Sequence, residues 1–194
     1  PVVTIDHVFN NRIAILSNNV LGTETLTDYL YANGHRKIAF IYGDRTSVTD
    51  KRKVGFFRSC EKHHLIIPDH YIRFSAFHDT AGCANVTRQL LDLEDRPTAI
   101  MFPDDFSAIG GIREIISSGL RIPEDISVTG YDGIKLVNYI TPKLTTYQQN
   151  AVEIGKTASA KLIELIEHPK TTIPEQVVID GKLLVGDSVQ RING

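Results

Sequence analysis

The sequence is short of several things that would announce a function. It holds only two cysteines in 194 residues, Cys60 and Cys83, both on segments of helical period. They fit small buried apolar groups better than a disulfide framework. Neither charge dominates: 21 Lys and Arg against 23 Asp and Glu leave a formal net charge of −2. Nucleic acid binding through this chain alone is therefore disfavoured, because neutralising phosphates takes clustered cations. No apolar run approaches the ~20 residues that span a bilayer, and the stretch that opens on Pro1 has no evident export signal. No Gly-rich phosphate loop follows a strand, since Gly110-Gly111 lies inside a helical pattern. No GxSxG elbow is present, and the seven histidines show no HExxH spacing. His63-His64, near a helix end, fits a solvated pair. A hydrolase or dehydrogenase is poorly supported, and internal repeats and low-complexity tracts are absent.

What the sequence does have is a rhythm. KIAFIYGD, YIRFSAF, TAIMFPDD and ISVTGYDG are short runs rich in β-branched and aromatic residues, each ending in or directly followed by polar or turn residues. Helix-period segments alternate with them. After Asp105, Ala108, Ile109, Ile112, Ile115 and Ile116 form one apolar stripe. Strand alternating with helix predicts an α/β fold, a doubly wound parallel sheet covered on both faces. In such sheets a ligand sits beyond the carboxyl ends of the strands.

The helix starts are also legible. Asn18 or Asn19 can cap a helix reaching about Asn33, with Gly34 after it. Asp79 or Thr80 can cap the helix carrying Cys83, Leu90 and Leu91. A helix of about 50–64 follows the KIAFIYGD strand. Strand 2–5, a helix of about 151–167 and strand 176–180 do not belong to the sheet of 18–147. A two-stranded leftover is not independently stable. The expectation is one near-complete lobe, residues 18–149 and 181–194, plus part of a second, residues 1–17 and 150–180, most of whose strands precede Pro1.

Four places could carry binding chemistry. Arg52 lies between Lys51 and Lys53 near a helix start. Either it belongs to a solvated basic turn, or it points a fork of hydrogen-bond donors into the crevice. Asp104 and Asp105 follow a strand directly. If Asp105 caps the next helix, Asp104 is free to face the cleft. Asp132 precedes Gly133, which fits a plain Asp-Gly turn or a ligand contact at a strand's carboxyl end. Phe77, Phe102, Phe106 and Tyr131 lie near the same edge, as core or as a stacking surface for a sugar face. A metal held by Asp104, Asp105 and Asp132 ranks below hydroxyl binding, since several oxygen ligands would be needed.

The phrases PVVTID, NGHRKIAF, KRKVGF, RPTAIMFPDDFSAIG, SGLRIPEDISVTGYD and PKLTTYQQ occur in this order over nearly the whole chain. In them the chain resembles the lactose/galactose repressor (LacI/GalR) family of bacterial transcription regulators. The resemblance implies a core like that of periplasmic sugar-binding proteins: two α/β lobes joined by three crossings, with an effector between them. It further implies a DNA-binding headpiece and the start of the N-terminal lobe lying outside this chain. It assigns effector contacts to Asp6 after the PVVTID strand, to Arg52 of the R-x-x-G-F phrase, to Asp132 of GYD and to Gln149 at the end of LTT-x-x-Q. Asp104 stands where the family commonly has Asn, and Gly186 where it often has arginine, so the hydrogen-bond pattern around the effector should differ.

The resulting expectation is an effector-sensing core of a cytoplasmic repressor. It binds a sugar or small polyol through Asp6, Arg52, Phe77, Asp104, Asp132 and Gln149, needs no metal or cofactor, is not an enzyme, and reaches operator DNA as a homodimer. The expected dimer surface uses the helix after Asp105 and the 134–139 segment. The rival is a secreted or lipid-anchored sugar-binding protein of a transporter.

Overall fold

The structure, a computed structural model, describes residues 1–169 and 171–192; Lys170, Asn193 and Gly194, within the expected lobe boundaries, lie outside the described residues. Along the chain the elements are β1 (Val3–Ile5), β2 (Ile13–Ser17), α1 (Asn19–Ala32), β3 (Ile38–Tyr42), α2 (Ser47–Lys62), β4 (Ile72–Phe74), α3 (Thr80–Leu91), β5 (Ala99–Met101), α4 (Asp105–Ser117), β6 (Ser127–Asp132), β7 (Thr145–Gln148), α5 (Ala151–Glu167), β8 (Gln176–Ile179) and β9 (Lys182–Leu184).

β3 shows why the chain forms layers. Successive side chains of a strand point to opposite faces. Ile38 and Phe40 enter a core with Leu26 and Leu30 of α1 and Phe56 and Cys60 of α2. Ala39 and Ile41 enter another with Cys83 and Leu90 of α3 and Ala108, Ile112 and Ile115 of α4. Burying each large apolar side chain contributes roughly 1.5–3 kcal/mol. The sheet between these layers runs β4-β3-β5-β6-β7-β9, parallel except for the antiparallel β7–β9 pair. This is the expected doubly wound α/β sheet. Both cysteines are buried and free, and burial raises their thiols to about 12.

A second, parallel sheet runs β1-β2-β8. Ile13 and Ile15 pack with Ile154 and Ala158 of α5 on one face. The chain crosses between the two sheets three times, from β2 into α1, from β7 into α5 and from β8 into β9. The crossings are tied together: the Asn18 N–H donates to the Ile179 carbonyl at 2.9 Å, the Asn18 amide to Asp180 at 2.7 Å, and the Gly181 N–H to the Tyr147 hydroxyl at 2.9 Å.

Two helix starts differ from the sequence reading. α2 begins at Ser47, capped by Thr46, whose side chain accepts from the Thr49 N–H. Arg52 is therefore in the second turn, clear of the first-turn dipole penalty. α4 is capped by Asp104, whose carboxylate accepts from the Ser107 N–H at 2.7 Å and the Ser107 hydroxyl at 2.7 Å. Asp105 is the first helical residue instead of the cap, and its carboxylate turns inward to β7. His63 is not simply solvated either: it stacks on Tyr31 and its Nε2 lies 2.8 Å from Asp28.

Candidate functional site

Asp6, Ser17, Phe77 and Asp132 all end or follow strands at the carboxyl edge, and they converge where the two sheets meet. Asp6, His7, Arg45, Thr46, Ser47, Val48, Arg52, Phe77, His78 and Asp132 line a cavity of about 570 Å³. That volume suits a small organic ligand. Three of the five non-glycine residues with positive φ among the described residues lie on its wall: Asp6 (51°), His78 (60°) and Asp132 (105°). Such backbone costs on the order of 1–3 kcal/mol per residue and clusters at functional sites.

Arg52 sits at the centre. The approach of α2 to α1 is close, and Gly55 permits it: a Cβ there would lie 2.2 Å from the Val20 carbonyl oxygen. Arg52 is only 7% exposed. Its Nε donates to Asn19 Oδ1 at 2.9 Å, its Nη1 to the Pro103 carbonyl at 2.7 Å, and its Nη2 lies 3.5 Å from Asp132 Oδ1. The guanidinium stacks 3.6 Å over the Tyr131 ring and 5.5 Å from the Phe77 ring. The arginine is thus held flat, with its position fixed by two neutral acceptors and two aromatic faces.

A continuous polar network runs from Arg52 across to the smaller sheet. Asp132 Oδ1 accepts from Gln149 Nε2 at 2.5 Å. Gln149 Oε1 lies 2.5 Å from the Ser17 hydroxyl, which is also 3.0 Å from Asp6 Oδ2. The Ser17 N–H donates to Asp6 Oδ1 at 2.6 Å. Burial raises the Asp132 carboxyl above its ordinary value, while Arg52 and the Gln149 amide pull it back. Burial also raises Asp105, to about 7. Asp105 braces the turn after Asp132: it accepts from the Ile134 N–H at 2.9 Å and from the Thr146 hydroxyl at 2.6 Å.

The structure gathers Asp6, Arg52, Phe77, Asp132 and Gln149 at one junction; the first four line the cavity, and Gln149 bonds to Asp132 and lines the adjoining pocket that it shares with Asp132. Asp104 is different. The cap role turns it inward, 1% exposed, where it also accepts from the His78 N–H at 3.0 Å. It holds the loop of His78 and is not free in the cleft, because two adjacent carboxylates share one helix start and the first one took it. Phe102 and Tyr131 are core, while Phe106 is half-exposed with its ring edge-on to His78. Sequence reasoning missed Ser17, which ends an apolar run, and the exposed Arg45, Thr46 and Ser47, which precede the helix it placed too late. Among the described residues no group of three or more His, Cys, Asp or Glu could hold a metal ion, and no helix is long and apolar enough to cross a membrane.

Two lobed sheets bridged by three crossings, with polar groups converging between them, define a ligand-binding core of the periplasmic binding protein type. The chain belongs to the periplasmic binding protein-like domain family, whose profile matches residues 27–189, and the resemblance to LacI/GalR regulators holds across its relatives. It is 36% identical over 172 residues to the ribose operon repressor of Haemophilus influenzae, covering 87% of this chain and 52% of that protein. It is 34% identical over 195 residues to the HTH-type transcriptional repressor PurR of Mannheimia succiniciproducens, covering 99% and 58%. The chain thus spans about half the length of the curated relatives it matches. Among solved structures, a LacI family transcriptional regulator from Enterococcus faecium with bound ribose aligns with a TM-score of 0.89 at 26% identity, over 99% of this chain and 71% of that one. A regulatory protein of the LacI family from Chloroflexus aggregans aligns with a TM-score of 0.85 at 28% identity, over 96% and 66%.

Proposed function

We propose that this chain is the effector-sensing part of a transcription repressor and binds a sugar or related polyol between two lobes. The observation that carries the reading is the polar network from Arg52 through Asp132, Gln149 and Ser17 to Asp6. It joins both sheets at the cavity and offers donors and acceptors suited to hydroxyls. In this proposal residues 1–17 and 150–180 belong to one lobe, and 18–149 with 181–194 to the other. The exposed apolar residues Ile5 and Val178 of the small sheet support completion of its lobe by further chain. Effector binding favours one angle between the lobes and so alters operator affinity through a headpiece in a homodimer, without chemical turnover. A ligand shifts that equilibrium only by its differential affinity for the two states. The repressors among the relatives support a cytoplasmic regulator over an exported transport protein.

Calorimetry of the complete gene product with a panel of sugars tests the reading, repeated on Arg52→Ala. Removing the guanidinium leaves Asp132 without its cation and should weaken binding at least about tenfold, as expected for losing a charge-assisted hydrogen bond. Arg52→Ala binding as tightly as wild type would overturn the site. An upstream export signal in place of a helix-turn-helix would favour the transport protein.

A further inference from the structure

We infer that Asp105 is a positioning residue of the effector site: its buried carboxyl group holds the turn from Asp132 to Ile134 and so decides where the Asp132 carboxylate points. The inference rests on the sugar-site reading above, which sets Asp132 against the ligand and gives Asp105 no part in binding. Strand alternation should send the Asp132 side chain to the same face as Val128 and Gly130. Val128 does face α3 and α4, sharing a core with Cys83, Ala108 and Ile112. Asp132 leaves that row. Its Oδ1 lies 3.5 Å from Arg52 Nη2, and Arg52 stacks on Tyr131, a residue of the α1–α2 core. Two successive residues of positive φ accompany the change, Asp132 at 105° and Gly133 at 70°. At a non-glycine residue such backbone persists only where its surroundings over-determine it.

Asp105 supplies that constraint. Its Oδ2 accepts the Ile134 N–H at 2.9 Å, directly after the two positive-φ residues, and its Oδ1 accepts the Thr146 hydroxyl of β7 at 2.6 Å. One carboxyl group therefore ties the turn to the neighbouring strand. Gly130 makes room for it: a Cβ there would fall 2.2 Å from Asp105 Oδ1. Asp105 is fully buried and does not line the cavity. Its effect on a ligand must pass through Asp132.

The test uses the complete gene product, with calorimetry against glucose, galactose, mannose and ribose and with crystal structures of the ligand-free variants. Asp105→Ala leaves the Ile134 N–H unpaired. It should weaken binding of the tightest of the four sugars at least about tenfold, with Asp132 turned away from Arg52. Asp105→Asn keeps an oxygen for that N–H and should restore most of the affinity. Thr146→Val breaks the bond to β7 but spares the one to the turn, and should cost less than about threefold. Ile134→Pro attacks the turn's bond from the other end. Ile134 has a φ of −66°, the value proline takes, and the ring removes the N–H. Its loss should match that of Asp105→Ala, and it carries the test if circular dichroism shows Asp105→Ala unfolded. Wild-type affinity in Asp105→Ala or Ile134→Pro overturns the inference, as does an Asp105→Asn no better than Asp105→Ala. Equal losses from Asp105→Ala and Thr146→Val overturn it too, because they mark a general loss of packing. A wild type that binds none of the four sugars overturns the sugar reading alone. The positioning then stands or falls on whether Asp132 has turned in the variant crystals.

Discussion

The six-stranded and three-stranded sheets are built from the same kind of strand and buried very differently. IAFIY in β3 and QVVI in β8 both carry apolar residues on two faces, the pattern of a parallel strand covered on both sides. β3 receives that cover, α1 and α2 on one face and α3 and α4 on the other. β8 receives only half of it. Val177 and Ile179 pack toward α5, whereas Val178, beside Leu16 on the other face, is 53% exposed. The composition of a strand reports the burial it is made for, and in β8 that exceeds what this chain supplies.

The contrast can be tested in its strong half first. Phe56 is fully buried, stacked on Phe40 at 4.7 Å. Phe56→Ala should cost about 3–5 kcal/mol, read as a fall in the urea midpoint. A smaller loss would mean that the large sheet is less tightly covered than its packing indicates.

Next comes Asp105, where the large sheet meets the site. Its folded value of about 7 lies above the ordinary 3.8, so the native state holds this proton more tightly than the unfolded chain. Its contribution is full below about pH 4 and is lost as the pH rises through 7. Each tenfold gain in proton affinity on folding is worth roughly 1.4 kcal/mol, which makes the whole effect a few kcal/mol. Asp105→Asn should flatten that slope, so the wild type should lose stability relative to the variant between about pH 4 and 7 in paired denaturation curves. Parallel curves would show that Asp105 titrates normally.

The smallest effect should be in the weak half. Val178→Thr, on the exposed face of β8, should stay within about 0.5 kcal/mol in the isolated chain. A large loss there would erase the difference between the sheets, because it would mean that the face is already covered.

The layers were legible because strand alternation and helix periodicity are local signals that burial merely enforces. The caps of α1 and α3 were legible to within one residue, Asn18 or Asn19 and Asp79 or Thr80, and the structure uses the first of each pair, its side chain reaching three residues on. The errors came where two local solutions compete. Thr46 and Asp50 could each open α2, and Asp104 and Asp105 could each cap α4. Only the path of the preceding strand decides between them. Arg52 and Asp132 could be named from motifs, but the part of Ser17 could not. Its meaning lies in Gln149, 132 residues away in sequence.

Gln149 binds both neighbours with one rigid amide, nitrogen to Asp132 and oxygen to Ser17. The two ends of an amide are a fixed distance apart, and a hydrogen bond tolerates only a few tenths of an ångström of stretch. Any hinge motion that separates β2 from β6 must therefore snap one of the two contacts, and a guest that props the gap open has to replace it.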